Sequence, residues 1–187
     1  TAYSGDPETF PKAPKGTRIR RLTRSFAAGT VRGSPSGDRI AYYARDDEEK
    51  IQIYVIPSDG SDNDADLKKR PRQATFLKAG VSSGLRWYPS GKAIACISDG
   101  GIAITWVEMG PHFGKTRFLT PHGDGEARSQ LVWSSDGRWL AFVKPTPTAG
   151  SDGEPLRTVA DKDPCQIFIL ACPDDIKQFV VNELASH

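Results

Sequence analysis

One phrase occurs three times along the chain and limits what it can fold into. It reads Arg32-Gly33-Ser34-Pro35-Ser36-Gly37-Asp38-Arg39-Ile40-Ala41-Tyr42-Tyr43, then Arg86-Trp87-Tyr88-Pro89-Ser90-Gly91-Lys92-Ala93-Ile94-Ala95-Cys96-Ile97, then Val132-Trp133-Ser134-Ser135-Asp136-Gly137-Arg138-Trp139-Leu140-Ala141-Phe142-Val143. Each copy is a glycine-centred turn that leads into an alternating, β-rich segment. A unit of this size cannot bury its apolar faces alone, so neighbouring copies must cover one another.

Two further phrases travel with the turn. Upstream lie Arg20-Arg21-Leu22-Thr23, Arg72-Gln73-Ala74-Thr75 and Arg117-Phe118-Leu119-Thr120. Downstream lie Gln52-Ile53-Tyr54-Val55-Ile56, Ile102-Ala103-Ile104-Thr105-Trp106-Val107 and Gln166-Ile167-Phe168-Ile169-Leu170. The turn glycines Gly37, Gly91 and Gly137 are 54 and then 46 residues apart, which suits one blade of a propeller, roughly 40–50 residues with loop insertions. Glycine at the turn supplies positive φ without steric cost.

The pattern predicts strand A over 30–34, 84–88 and 129–134, and strand B over 39–44, 93–98 and 139–144. Strand C is the downstream phrase. Strand D ends in the upstream one, so residues 20–23 should form a D strand ahead of the first blade. The expected fold class is all-β: about three four-stranded antiparallel blades of a larger or incomplete β-propeller. The blades fall at about 24–75, 76–120 and 121–184 of a propeller segment 17–187, after an N-terminal extension 1–16. A generic antiparallel sandwich would need all three phrases to recur in order by coincidence. Residues 174–184 read as strand or helix about equally.

At these residues the chain resembles the TolB-like propeller repeats, whose turn is Trp-Ser-Pro-Asp-Gly and whose repeat closes on Leu-Thr. The nearest match is Leu131-Val132-Trp133-Ser134-Ser135-Asp136-Gly137, which departs only at Ser135, where Pro is usual. In the first copy Gly33 stands in the Trp position, so one packing side chain is missing. From about residue 14 to 144 the chain looks like the carboxy-terminal part of bacterial proteins of the YidR type. The carrying residues are Arg20–Thr23, 31–37 with Arg45-Asp46-Asp47, and 87–91. This resemblance implies a fold and no activity.

With 187 residues, three blades fall short of a closed ring of about four to eight. The chain starts at Thr1 and its one methionine is Met109, which reads as a processed chain or a portion of a longer one. An open arc leaves an apolar sheet face at each end. Missing blades, from the same polypeptide or another copy, are the expected cover. The formal charge of +2 sets up no field for nucleic acid. The basic residues Arg18, Arg20, Arg21 and Arg24 lack the interleaved aromatics of a nucleic-acid surface. No run approaches the 18 or so apolar residues of a membrane span, so no membrane insertion is expected. The compartment stays open between periplasm and cytoplasm. Of the three cysteines, Cys96 reads as a small core residue. Cys165 and Cys172 flank a strand and stand about 23 Å apart when extended, too far for a disulfide.

Function is sought in the loops. In a propeller the D-to-A loops share a face with the B-to-C loops, near the central channel. Here they are residues 24–29, 76–83 and 121–129, and they supply the candidate ligand-binding residues Arg24, Lys78, His122, Asp124, Glu126 and Arg128. A metal site wants three or four His and carboxylate ligands. The third loop has one His, and His112 belongs to the opposite face, so a solvated polar turn is the simpler reading and no metal is expected. The acidic run 46–49 reads as a hairpin tip. Residues 59–66 lack the Gly and Glu spacing of a calcium loop and read as a flexible C-to-D insertion. The insertion 144–164 could cover the channel mouth, or be a disordered or packing loop.

No Gly-x-Ser-x-Gly elbow and no phosphate-binding glycine loop is present, so neither a catalytic residue nor a cofactor is expected. The reading is a non-catalytic scaffold that binds a protein or peptide partner through the loop face. The alternative is the propeller portion of a larger enzyme, either a peptidase gating domain or a carbohydrate enzyme similar to oligogalacturonate lyases.

Overall fold

Alternating segments become strands here because each puts every second side chain against a neighbouring sheet. The computed structural model describes residues 16–176. Its strands are β1 (Ala28–Gly33), β2 (Arg39–Arg45), β3 (Ile51–Pro57), β4 (Arg72–Gln73), β5 (Ser83–Trp87), β6 (Ala93–Ser98), β7 (Gly101–Trp106), β8 (Thr116–Phe118), β9 (Ser129–Trp133), β10 (Trp139–Pro145) and β11 (Cys165–Ala171). They form three antiparallel sheets in the orders β1-β2-β3-β4, β5-β6-β7-β8 and β9-β10-β11. Strands A, B and C thus occur in all three repeats, with bounds within about two residues of those expected.

The three turns are built alike. The N–H groups of Ser34, Tyr88 and Ser134 donate to the carbonyls of Arg39, Ala93 and Trp139 at 2.8, 2.8 and 2.9 Å. Gly37, Gly91 and Gly137 have φ of 76°, 76° and 70°, the left-handed region that only glycine enters without a steric cost. Ser34 and Ser134 also accept, at Oγ, the N–H of Arg39 and Trp139. Tyr88 gives up that bond and reaches the next sheet instead, where its hydroxyl donates to the Gly137 carbonyl.

The sheets stack in sequence order, with β5 against both β1 and β9. Between the first two lie Ala41, Tyr43, Ile53 and Val55 on one side and Leu85, Trp87, Ile94 and Cys96 on the other. Between the second and third lie Ala95, Ile97 and Ile102 against Leu131, Leu140 and Phe142. Polar contacts fix the stacking. Trp87 Nε1 donates to the Arg32 carbonyl at 3.0 Å, and the Arg39 guanidinium donates to the carbonyls of Gly91 and Val107. Trp133, the counterpart of Trp87, instead meets Tyr88 edge-on at 5.0 Å. Full burial pushes the Cys96 thiol up to about 12, as befits a core residue.

The D strands of the first two sheets fall in the expected phrases and are short. They are two and three residues long, because the closing threonine completes the ladder with its side chain. Thr75 Oγ1 accepts from Ile53 N–H at 2.8 Å and Thr120 Oγ1 from Ile102 N–H at 2.9 Å. Residues 20–23 are not a strand, since the described residues hold no sheet ahead of the first for them to pair with. They lie instead on the outer face of the first sheet. There Leu22 packs on Tyr42, Ala44 and Ile56, and its carbonyl accepts from Asp62 N–H. The third sheet has three strands among the described residues. Asp174, Asp175 and Ile176 are helical, and the remainder of the ambiguous stretch 174–184 lies outside the described residues, as does nearly all of the extension 1–16. No helix among the described residues is long and apolar enough to cross a membrane.

Candidate functional site

Each loop that follows a fourth strand seats itself on the turn between the second and third strands of the preceding sheet. Residues 76–83 sit on the first sheet. Val81 N–H donates to the Ile51 carbonyl, and the Gln52 amide exchanges hydrogen bonds with the backbone of Leu77. Residues 121–129 sit on the second sheet. Gly123 N–H donates to the Asp99 carbonyl, and Arg128 donates to the Gly100 carbonyl at 2.8 Å. The two loop types, expected to share a face, lie against one another in both places.

The two nests differ because their turns differ. The turn between β6 and β7 is Asp99-Gly100, both at positive φ, as a two-residue hairpin requires. The 121–129 loop lies directly on it, and a Cβ on Gly100 would come within 2.6 Å of the Glu126 carbonyl. His122 stacks on Phe118 at 3.8 Å and puts Nδ1 3.7 Å from Asp99. Asp124 and Arg128 form a two-pronged pair at 2.9 and 3.2 Å. The hydrogen bond from Arg128, with another from Glu126 N–H, holds the Asp124 carboxyl down at about 2. Glu126 pairs with Lys144 at 2.7 Å. Four of the six candidate residues are thus brought together, but each is committed to a neighbour. Among the described residues no three His, Cys, Asp or Glu side chains are placed to hold one metal ion.

The first nest is open. Its turn is longer, 46–50, with Asp46 Oδ1 accepting the N–H groups of Glu48 and Lys50 and Oδ2 the Gln52 amide. A cleft of about 420 Å³ lies between this turn and the 76–78 segment, lined by Asp47, Glu48, Lys50, Phe76 and Lys78 among others. Phe76 is 68% exposed there. Lys78 therefore belongs to a different nest from His122. The sequence reading passed over Phe76 and treated 46–49 only as a hairpin tip. The available signal was an aromatic side chain in a loop that needs none for its turn.

Arg24 departs from expectation. Its side chain pairs with Asp62 and Asn63, drawn there because residues 20–24 run along the first sheet and not toward the loop face. The same contacts join residues 24–25 to the 59–66 segment, and Asp66 caps the short helical turn Leu67–Lys69 behind it. The 144–164 insertion folds back on itself. Gly150 N–H bonds the Glu154 carbonyl, Leu156 N–H the Thr148 carbonyl and Thr146 N–H the Pro164 carbonyl. His112 lies on the opposite side as expected, in the 107–115 loop that hydrogen-bonds Lys92 of the second turn.

No family model matches the chain. The uncharacterised protein YidR of Escherichia coli (strain K12) is 31% identical in an alignment of 152 positions that covers 75% of this chain and 34% of YidR. The chain therefore spans about a third of that relative. Among solved structures, a protein designated TolB from Agrobacterium tumefaciens superposes with a TM-score of 0.51 at 22% identity, covering 84% of this chain and 53% of its own. TolB from Acinetobacter baumannii gives 0.47 at 20% identity, over 78% and 32%. The chain is similar to YidR in sequence and has a TolB-like fold.

Proposed function

We propose that the three sheets are blades of a β-propeller, and that this propeller is a non-catalytic scaffold which binds a protein or peptide partner through its loop face. Support for the blades comes from their matching turns, their sequential stacking through first strands and the TolB-like fold. The stretch corresponds, in this reading, to the carboxy-terminal part of a YidR-type protein. One observation carries the binding role: Phe76 stands 68% exposed over an open cleft rimmed by Asp47, Glu48 and Lys78. The polar groups of the 121–129 loop are meanwhile committed to one another or to Asp99, Gly100 and Lys144. An exposed aromatic side chain beside a charged rim is the usual make-up of a peptide anchor point. Glu48 on this rim is paired with Lys50, and Asp47 favours a segment with a basic residue next to an apolar one.

Selection from a displayed random-peptide library on the purified protein tests this. Peptides pairing Lys or Arg with an apolar residue should be enriched. Phe76→Ala should weaken them at least about tenfold, while His122→Ala leaves them unchanged. Selected peptides that bind Phe76→Ala as well as the native protein would overturn the reading.

A further inference from the structure

The register of the three sheets gives each buried position a counterpart in the next repeat. Ala41 pairs with Val55 and Tyr43 with Ile53. Ala95 pairs with Ile104 and Ile97 with Ile102. Ala141 pairs with Ile169 and Val143 with Ile167. In the first two sheets this face is covered by the following sheet, and Ile53, Ile102 and Ile104 are all 0% exposed. In the third sheet the same face is left bare by the described residues: Ile167 is 77% exposed, Ile169 67% and Val132 56%. A contiguous apolar sheet face of this kind marks an interface.

The covering sheets show what fits. Each presents a Leu-x-Trp first strand to the face it covers, as Leu85-Arg86-Trp87 and Leu131-Val132-Trp133. The first sheet lacks this knob, having Val31-Arg32-Gly33 instead, and its own outer face is already closed by Leu22. A second copy stacked head-to-tail would therefore bring the wrong strand and a covered face. We infer that the exposed face of the third sheet is the seat of a further sheet of this repeat with a Leu-x-Trp first strand, supplied by another part of the same, longer polypeptide. The length of YidR, of which the aligned stretch is 34%, leaves room for such a sheet outside that stretch. This inference rests on the repeat architecture proposed above and is independent of the loop-face cleft.

Thiol labelling tests it with a reporter already in place. Cys165 is exposed and, paired with Pro145, lies on the bare face, while Cys96 and Cys172 are buried. A maleimide should label Cys165, and a cysteine introduced by Ile169→Cys, readily in the 187-residue chain. Both should react at least about 100-fold more slowly in the longer polypeptide, as expected of sites that label only on opening. Equal labelling in the two contexts would overturn the inference. So would a dimer of the 187-residue chain that protects the same thiol, or a reading frame with no further Leu-x-Trp repeat. Peptide binding at Phe76 is unmoved by any of these outcomes, so failure here is distinct from failure of the scaffold reading.

Discussion

The two end faces of the stack are built from the same repeat and meet opposite fates. On the first sheet Tyr42, Ala44 and Ile56 are 3, 7 and 1% exposed, because residues 20–24 lie across them and the 59–66 segment pins that strap. On the third sheet Ile167 and Ile169 stand in solvent. The difference teaches that alternation marks which side chains want cover, while the cover itself is a matter of what else lies nearby.

The sharpest test of that difference places a charge on equivalent positions. Ile102→Lys buries an ammonium between the second and third sheets and should cost about 4 kcal/mol. Ile167→Lys, its counterpart in the third sheet, should stay within about 0.5 kcal/mol in the same chain. Urea denaturation of both variants reads the contrast, and equal losses would mean that the third-sheet face is covered after all.

The turns offer a smaller version of the same comparison. Gly37 has open space around its Cβ position, whereas a Cβ on Gly137 would lie 2.3 Å from the Tyr88 hydroxyl. Gly37→Ala should cost about 1 kcal/mol, from its left-handed φ alone. Gly137→Ala should cost about 2–4 kcal/mol, because overpacking adds to the same strain. Thermal unfolding of the pair separates backbone strain from contact between sheets.

The smallest effect concerns acid. Asp124 sits at about 2 in the folded chain because Arg128 bonds its carboxylate. A depressed carboxyl stabilises the fold above its unfolded range near 4, and that contribution is lost as pH falls through about 2. Stability measured from pH 5 downward should therefore fall less steeply in Asp124→Asn than in the native chain. An unchanged slope would show that the Asp124–Arg128 pair is not formed in solution.

Much of the scaffold was legible in the sequence because its determinants are local. A glycine at positive φ, a serine that caps its own turn and a two-residue period act over a few neighbours, so strands A, B and C could be placed. Strand D was legible only as a phrase. Its threonine hydroxyl replaces a ladder bond, which shortens the strand in a way that no propensity reports. The site was half legible. His122, Asp124, Glu126 and Arg128 do share one nest, but their mutual pairing depends on the Asp99-Gly100 turn and on Lys144. Arg24 was misplaced because its partner Asp62 is brought to it by packing, not by nearness in sequence.

The sequence by itself determined an all-β chain of three stacked repeats with glycine turns and tryptophans in the packing, since turn chemistry and alternation are properties of short segments. Only the tertiary structure decided which loop nest is closed and which end of the stack is strapped or bare. Those outcomes depend on contacts between residues far apart in the chain, and such contacts exist only once the sheets have come together.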